Sequence, residues 1–176
     1  VFVIPADGGT PRQITEGEYN HNSLEWTADG EHLIISANRK EDWQYNERDT
    51  ELYKVSVDDG KMTQLTDRRG PDSSPKVSPD GNKIAYLGYD DNMDSYQLTN
   101  AYVMNADGSE KRVLTDNFDR SVSNLQWSKD GLYLQYDDEG NGKIGFISFS
   151  EDDEIQKVAD DRGGTTIGRP YGSGSY

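Results

Sequence analysis

The sequence contains no cysteine, which excludes disulfide bonds and thiolate chemistry from these 176 residues. Only 32% of the residues are hydrophobic, the mean hydropathy is −0.95, and no stretch approaches the ~18 consecutive apolar residues of a membrane-spanning helix. A single thick hydrophobic core is therefore not expected. Thin sheets stacked on one another suit this composition better, because each strand then needs only a few apolar positions.

Positive charge is scarce as well. The chain has 18 basic and 33 acidic residues and a net charge of −15. This balance argues against binding to a nucleic-acid backbone or to an anionic membrane surface, and a solvated acidic surface is the simplest interpretation. Histidine is limited to His21 and His32, and we expect His32, which follows a turn, to be exposed.

One hairpin sequence occurs three times. Residues 77–86 read Val-Ser-Pro-Asp-Gly-Asn-Lys-Ile-Ala-Tyr, in which Pro79 fixes φ at the second turn position and Gly81 can take the positive φ that closes the turn. The related pentapeptides Trp26–Gly30 and Trp127–Gly131 begin 51 residues before and 50 residues after this segment. A turn that recurs at a nearly constant spacing predicts a repeat architecture.

A second hairpin alternates with the first. Its signature is an aromatic residue followed twelve positions later by an aliphatic residue, and it occurs at Phe2 and Ile14, Tyr53 and Leu65, Tyr102 and Leu114, and Phe146 and Val158. Together the two hairpins give four strands per unit, here called A to D, with period-two patterning and almost no helix. The prediction is an all-β fold, a partial β-propeller of four-stranded antiparallel blades, with three full blades and a leading half-blade. A β-sandwich of unrelated hairpins is the alternative, but it would not explain why both signatures recur in register.

The repeats also predict boundaries, in chain order a half-blade at 1–16, blades at 22–67, 73–116 and 123–161, and the start of a next blade at 162–176. Three blades are fewer than the roughly four that close a ring, and the chain opens on Val1 inside a predicted strand. We therefore expect a piece of a larger propeller, whose unpaired edges favour a dimer of the fragment. The sequence does not distinguish a periplasmic or secreted protein from a cytoplasmic one, because any targeting segment would lie outside these residues.

Antiparallel strands place the A to B and C to D turns on one rim of the ring and the B to C and D to A connections on the other. The first group consists of short Asp-Gly turns, whereas the second holds every long loop, at residues 16–23, 38–50 and 88–100. We expect binding on the rim with the long loops, because loops on a rigid scaffold carry recognition.

The loop 38–50 is the richest in recognition chemistry. Its basic residues can bind a carboxylate, and its aromatic residues offer apolar faces with polar tips; an ordered lid packed over its own blade is the alternative. His21 and Asp72 occupy equivalent positions before strand A, near the central channel, and a hydrogen-bonded role is the alternative there. The candidate substrate or partner contacts are Arg39, Asp42, Trp43, Tyr45, Glu47, Arg48, His21 and Asp72.

No catalytic residue, metal or cofactor is predicted in this chain. The acidic run Asp90–Asp94 is not an EF-hand, since Ser95 and Ala101 stand where Gly and Glu are required. A looser calcium site there or at Asp137–Gly140 is the alternative to solvated acidic turns. A nucleophile elbow is also absent, because Tyr171 stands where the first glycine of Gly-x-Ser-x-Gly would be.

The repeats nevertheless carry a family likeness. The segments that resemble the propeller repeats shared by TolB, tricorn-type proteases and the prolyl oligopeptidase family are Val77–Gly81 with Lys83–Tyr86, Ala101–Gly108 and Val113–Thr115. Three further stretches resemble the propeller of bacterial dipeptidyl and acylaminoacyl peptidases in the prolyl oligopeptidase family, namely Ser36–Tyr53, Gly70–Pro75 and Gly163–Tyr171.

The resemblance implies a propeller that precedes an α/β-hydrolase domain with a Ser, Asp, His triad outside these residues and that limits access to short peptides. The chain would then be a non-catalytic segment of a serine peptidase, with the hydrolase domain, the remaining blades and a peptide substrate as its partners. Residues 42–47 resemble an acidic segment that holds the substrate amino terminus in dipeptidyl peptidases, with one glutamate where that segment has two. The alternative is a TolB- or tricorn-like scaffold for protein interactions, without a hydrolase domain.

Overall fold

The computed structural model describes residues 1–149 and 154–160, and all regular elements in these ranges are β-strands. They are β1 (Phe2–Val3), β2 (Arg12–Gln13), β3 (His21–Trp26), β4 (His32–Ala37), β5 (Glu51–Ser56), β6 (Met62–Gln64), β7 (Asp72–Val77), β8 (Lys83–Gly88), β9 (Asn100–Asn105), β10 (Arg112–Val113), β11 (Val122–Trp127), β12 (Leu132–Asp138), β13 (Asn141–Ile147) and β14 (Gln156–Ala159). Over the same residues, no helix has the length and apolar character needed to cross a membrane.

The strands form one two-stranded sheet, β1-β2, and three four-stranded sheets in the orders β3-β4-β5-β6, β7-β8-β9-β10 and β11-β12-β13-β14. Every neighbouring pair is antiparallel. The predicted all-β partial propeller, with three blades and a leading half-blade, is confirmed. The predicted start of a next blade at 162–176 lies outside the described residues.

The A to B turns of the first two blades form as the sequence predicts, whereas in the third the amide of Ser128 donates to the carbonyl of Gly131 at 2.8 Å. Gly30 donates to the carbonyl of Thr27 at 2.9 Å and Gly81 donates to that of Ser78 at 2.8 Å, with φ of 71° and 74° at the two glycines. The Thr27 hydroxyl donates to the Asp29 carboxylate at 2.6 Å. Local hydrogen bonds of this kind fix the turn before any tertiary contact is made.

Strand β7 contacts both β3 and β11, and each of these three strands is the first strand and one edge of its sheet. Each contains a β-bulge with one residue in the left-handed region, namely Ser23 (φ 41°), Ser74 (φ 51°) and Asn124 (φ 48°). The bulge interrupts the alternation of apolar and polar residues. The strands consequently begin at His21, Asp72 and Val122, three residues before the apolar pattern indicates.

Apolar layers between successive sheets make up the core. Strand β4 is buried on both faces, because Leu33 and Ile35 pack with Ile14 of the half-blade whereas Ile34 packs with Ile84 of the second blade. The layer between the second and third blades includes Ala85, Leu87, Val103, Leu125, Leu134 and Ile147. Such thin layers need few apolar residues per strand, which fits the low hydrophobic content.

Hydrogen bonds between connections show which loops share a rim. The amide of Asp72 donates to the carbonyl of Thr50 at 2.8 Å and that of Asp91 to Arg69 at 3.0 Å, which joins B to C loops to D to A connections. On the opposite rim the amide of Ala106 donates to the carbonyl of Asn82 at 2.9 Å. We call the first rim the long-loop face and define it by residues 16–20, 38–50, 65–71, 89–99 and 114–121.

The third blade departs from the predicted distribution of loop lengths. Its β12 and β13 are joined on the long-loop face by Glu139 and Gly140 alone, with φ of 52° and 79°, as in a type I′ hairpin. Strand β13 ends at Ile147 and β14 begins at Gln156, so the longer separation in this blade lies between strands C and D. The prediction that one rim holds every long loop is therefore wrong for this blade.

Candidate functional site

The loop 38–50 on the long-loop face is held by its own hydrogen bonds. The amide of Tyr45 donates to the carbonyl of Asp42 at 2.8 Å, and the Asn38 side-chain amide donates to the carbonyl of Asn46 at 2.7 Å. The side-chain amide of Asn46 also donates to the exposed carboxylate of Asp42. The loop thus consists of tight turns closed by internal hydrogen bonds and is not extended.

Arg39 anchors one side of this loop. Its guanidinium lies 4.3 Å from the centre of the Tyr19 ring, contacts the His21 Nε2 at 3.0 Å and donates to the carbonyl of Glu16 at 3.0 Å. Trp43 packs against the same ring, with centroids 6.3 Å apart and planes tilted by 59°. Arg39 and Trp43 therefore hold the loop to the preceding D to A connection, as in the lid interpretation.

His21 is part of this anchor and stands at the start of β3. Partial burial, with the positive charge of Arg39 as a further cause, lowers the pKa of His21. A neutral imidazole at neutral pH can accept a hydrogen bond from Arg39, which matches the observed contact. His32, which was expected to be exposed, is instead partly buried in β4.

Tyr45, Glu47 and Arg48 project away from the anchor. Tyr45 is 87% exposed, and the three residues line a groove of about 440 Å³ with the loop 89–99 of the second blade. The other side of the groove includes Arg69, Asp91, Met93 and Asp94. The structure brings three predicted contact residues together here, and it leaves the exposed Asp42 outside the groove lining.

Asp91 organises the far wall of the groove. Its carboxylate accepts hydrogen bonds from the amide of Met93 at 2.9 Å and from the Gln97 side chain at 3.1 Å. These bonds, with the charges of Arg69 and Arg48 as further causes, lower the pKa of Asp91. The acidic run at 90–94 thus shapes the loop through ordinary side-chain and backbone donors.

The acidic turn at 137–140 has a similar role. Lys143 contacts the Asp138 carboxylate at 2.7 Å and Arg120 contacts it at 2.9 Å.

On the opposite rim, Asp29, Glu31 and His32 have potential ligand atoms within 4.8 Å of one another. There the Asp29 carboxylate already accepts bonds from Thr27 and from the backbone of Glu31.

Asp72 lies in a buried charged joint between the first and second blades. Its side chain is fully buried, and the Arg68 guanidinium contacts its Oδ1 at 2.5 Å. The same guanidinium lies 4.0 Å from the centre of the Tyr102 ring, and Tyr102 stacks on Tyr86 at 5.3 Å. The structure thus assigns Asp72 to an interblade joint.

Glu51 is the second carboxylate of this joint and is also fully buried. It accepts a hydrogen bond from the Thr66 hydroxyl at 2.7 Å, while Lys40 approaches it at 3.5 Å and forms an ion pair with Asp49. Burial is the main cause that raises the pKa of Glu51 to about 7, and burial also raises the pKa of Asp72 against the opposing charge of Arg68. Sequence reasoning missed Glu51, Thr66 and Arg68; the available signal was an acid directly before the apolar pair Leu52 and Tyr53.

Comparison with known proteins places this architecture in a family. The family model described as the N-terminal β-propeller domain of acylaminoacyl-peptidase matches residues 4–164. A curated relative, dipeptidyl-peptidase 5 of Porphyromonas gingivalis, is 24% identical over 149 residues, covering 76% of this chain and 22% of its own length. TolB of Francisella tularensis is 28% identical over 122 residues, covering 68% of this chain and 25% of its own length.

Solved structures support the fold. The crystal structure of TolB from Acinetobacter baumannii superposes with a TM-score of 0.66 at 16% identity, covering 89% of this chain and 36% of that one. The chain spans less than half of the length of the curated relatives that it matches. Since the family model matches nearly all of the sequence, this chain belongs to the acylaminoacyl-peptidase N-terminal β-propeller family.

Proposed function

We propose that this chain is the non-catalytic propeller of a serine peptidase of the prolyl oligopeptidase family. In this role it docks an α/β-hydrolase domain and restricts which peptides reach that domain. The observation that carries the proposal is the match of residues 4–164 to the propeller of a peptidase family. A dipeptidyl-peptidase among the relatives supports the same reaction class.

The long-loop face has the physical properties that such a role needs. Arg39 and Trp43 fix the base of the loop 38–50, so the exposed Tyr45 is presented from a braced support. A rigid obstacle discriminates by size, because a short peptide passes it whereas a long one must displace it. The adjacent groove offers guanidinium groups of Arg48 and Arg69 and carboxylates that can pair with the charged ends of a peptide.

The test uses the intact polypeptide that carries this propeller. A variant with residues 41–47 replaced by an equal length of glycine and serine removes the obstacle and leaves a flexible linker. We expect kcat/KM for a long unstructured peptide to rise about tenfold, equivalent to about 1.4 kcal/mol of barrier, with hydrolysis of a short acylated peptide unchanged. Lys129→Ala, on an exposed side chain of the opposite rim, is the control. Equal effects on both peptides would contradict the gating role.

A second candidate is a TolB-like scaffold for protein interactions, favoured by the similarity to TolB at 28% identity over 122 residues. In that case the exposed Tyr45 and Met93 would contact a protein partner rather than flank a substrate path. If the intact polypeptide hydrolyses no peptide and instead retains one stable protein partner in affinity capture, the scaffold role is supported. Loss of that partner on Tyr45→Ala would place the contact on the long-loop face.

A further inference from the structure

The buried joint between the first and second blades holds two carboxylates whose oxygens are only partly hydrogen-bonded. Glu51 and Asp72 are both fully buried. Glu51 Oε2 accepts from Thr66 at 2.7 Å and Asp72 Oδ1 accepts from Arg68 at 2.5 Å. The other two oxygens, Glu51 Oε1 and Asp72 Oδ2, are buried without a hydrogen-bond donor in the part of the chain that the structure describes.

The neighbouring groups of the described chain leave Glu51 Oε1 without a donor, whereas Arg68 keeps an unpaired Nε–H beside Asp72. The Thr66 hydroxyl has one proton, which it gives to Glu51, and its oxygen accepts from the amide of Leu52 at 2.8 Å. Lys40 stands 3.5 Å from Glu51 Oε1 in an ion pair, and this oxygen has no hydrogen-bond partner among the described residues. An unpaired buried carboxylate oxygen is costly when it carries charge, and a proton bound to Glu51 removes that charge.

The balance of charges in the joint also indicates one bound proton. The charged groups that face Glu51 and Asp72 are Lys40 and Asp49 from the loop 38–50, Arg68 from the β6 to β7 connection, and the exposed Asp90 from the loop after β8. Tyr86 and Tyr102 of β8 and β9 also face the pair, and burial raises the pKa of Tyr86. Within the enclosed part, three carboxylates meet two cations, so one negative charge is uncompensated. A proton removes it without adding volume to a packed joint.

We propose that Glu51 holds a structural proton at neutral pH and that its loss loosens the loop 38–50 from the second blade. The proton lies where three connections meet, since Glu51 begins β5, Thr66 follows β6 and Asp72 begins β7. When it leaves, an additional buried negative charge repels Asp72, and separation of the blades relieves that repulsion. The pH response depends only on the joint, so it is expected whether the protein is a peptidase or a scaffold.

Hydrogen exchange on the intact polypeptide tests this inference. The reporters are the amides of Leu52 and Asp72, bonded to Thr66 Oγ1 and to the carbonyl of Thr50. Since the pKa of Glu51 rises from 4.5 to about 7 on folding, the folded joint is stable below 4.5 and weakens as pH rises toward 7. Corrected for intrinsic exchange, their opening equilibrium is expected to increase roughly 50-fold between pH 5 and 8.

Two variants decide the origin of the effect. Glu51→Gln imitates the protonated state and is expected to abolish the rise, while Glu41→Gln, an exposed acid of the same loop, is expected to leave it intact. Wild-type behaviour in Glu51→Gln would overturn the proposal. If Glu51→Gln does not fold, the wild-type profile still decides: exchange that responds to sodium chloride but not to pH would mean that a monovalent cation occupies the joint, and it would also overturn the proposal.

Discussion

Replacing Gly88 with alanine should break the interblade joint by steric conflict alone. Gly88 ends β8 and pairs with Asp72 in the ladder. A Cβ atom at this position would lie 1.9 Å from Arg68 Nη2, 2.4 Å from the Pro71 carbonyl oxygen and 2.6 Å from Asp72 Oδ1. Contacts of a real Cβ essentially never fall below 3.0 Å, so the methyl group must displace both the guanidinium and the backbone.

The expected cost follows from these two displacements. Overpacking of a tight site costs about 1–3 kcal/mol. Separating one partner of a buried ion pair costs about 3–5 kcal/mol, although Arg68 keeps its contact with the exposed Asp90 at 3.4 Å. We expect a loss of about 4 kcal/mol in the free energy of unfolding of this unit, which corresponds to a fall of about 10 °C in Tm.

Urea denaturation of the intact polypeptide, followed by tryptophan fluorescence, measures this loss. Gly30→Ala is the matched control, because Gly30 has a φ of 71° but no atom within 4 Å of its Cβ position; it should lose only about 1 kcal/mol, from backbone strain. If Gly88→Ala is no more destabilising than Gly30→Ala, the proposed packing of Arg68 and Asp72 against β8 is wrong.

Three further predictions concern other parts of the chain. Trp43→Ala should lower the free energy of unfolding by about 2 kcal/mol through lost packing, whereas the exposed Tyr45→Ala should change it by less than about 0.5 kcal/mol; equal losses in urea denaturation would contradict the lid assignment. Trp127→Phe removes the bond from its Nε1 to the carbonyl of Lys76 at 2.8 Å and should cost about 1 kcal/mol in thermal denaturation; an unchanged Tm would show that this contact adds nothing. Bonds from Ser78 and Asn82 lower the pKa of Asp80 to about 2, so its stabilisation is complete above pH 3.8 and disappears as pH falls through 2. The stability difference between wild type and Asp80→Asn should therefore narrow over that range, and a constant difference would refute the turn's role in acid unfolding.

The sequence predicts the hairpins well because their determinants are local. A turn such as Thr27 to Gly30 is closed by groups two or three residues apart, and equivalent groups close the turn from Ser78 to Gly81. The alternating apolar residues then assign each strand to a blade. The bulges at Ser23 and its equivalents escape prediction, because a non-glycine residue with positive φ has no reliable sequence signature.

The charged joint between the first and second blades could not be predicted from the sequence. Asp72 reads as a polar residue near the channel, and the sequence predicts no role for Glu51. Both are buried because the second blade stacks on the first, and the groups that compensate them come from other connections, as Arg68 does. Polarity alone predicts exposure, so only the packing of blades reveals a buried pair of acids.

The loop 38–50 was identifiable as a recognition candidate, but its division into anchored and free residues was not. Arg39 and Trp43 are fixed by the Tyr19 ring, which belongs to a different loop. Among the described residues, Tyr45 and Arg48 have no ring contact of this kind, and they line the groove. An arginine or an aromatic residue of this loop is thus an anchor where the fold places the Tyr19 ring beside it, and otherwise it lines the groove.

Oxidative footprinting of the intact polypeptide tests most directly whether the long-loop face covers a hydrolase domain. Tyr45, Met93 and Tyr96 are 87%, 74% and 74% exposed on the propeller itself, and tyrosine and methionine side chains are readily oxidised. We predict that all three are strongly protected in the intact polypeptide and that proteolytic removal of a hydrolase domain restores their oxidation. Oxidation at the rate of free peptides in the uncleaved protein would contradict the account.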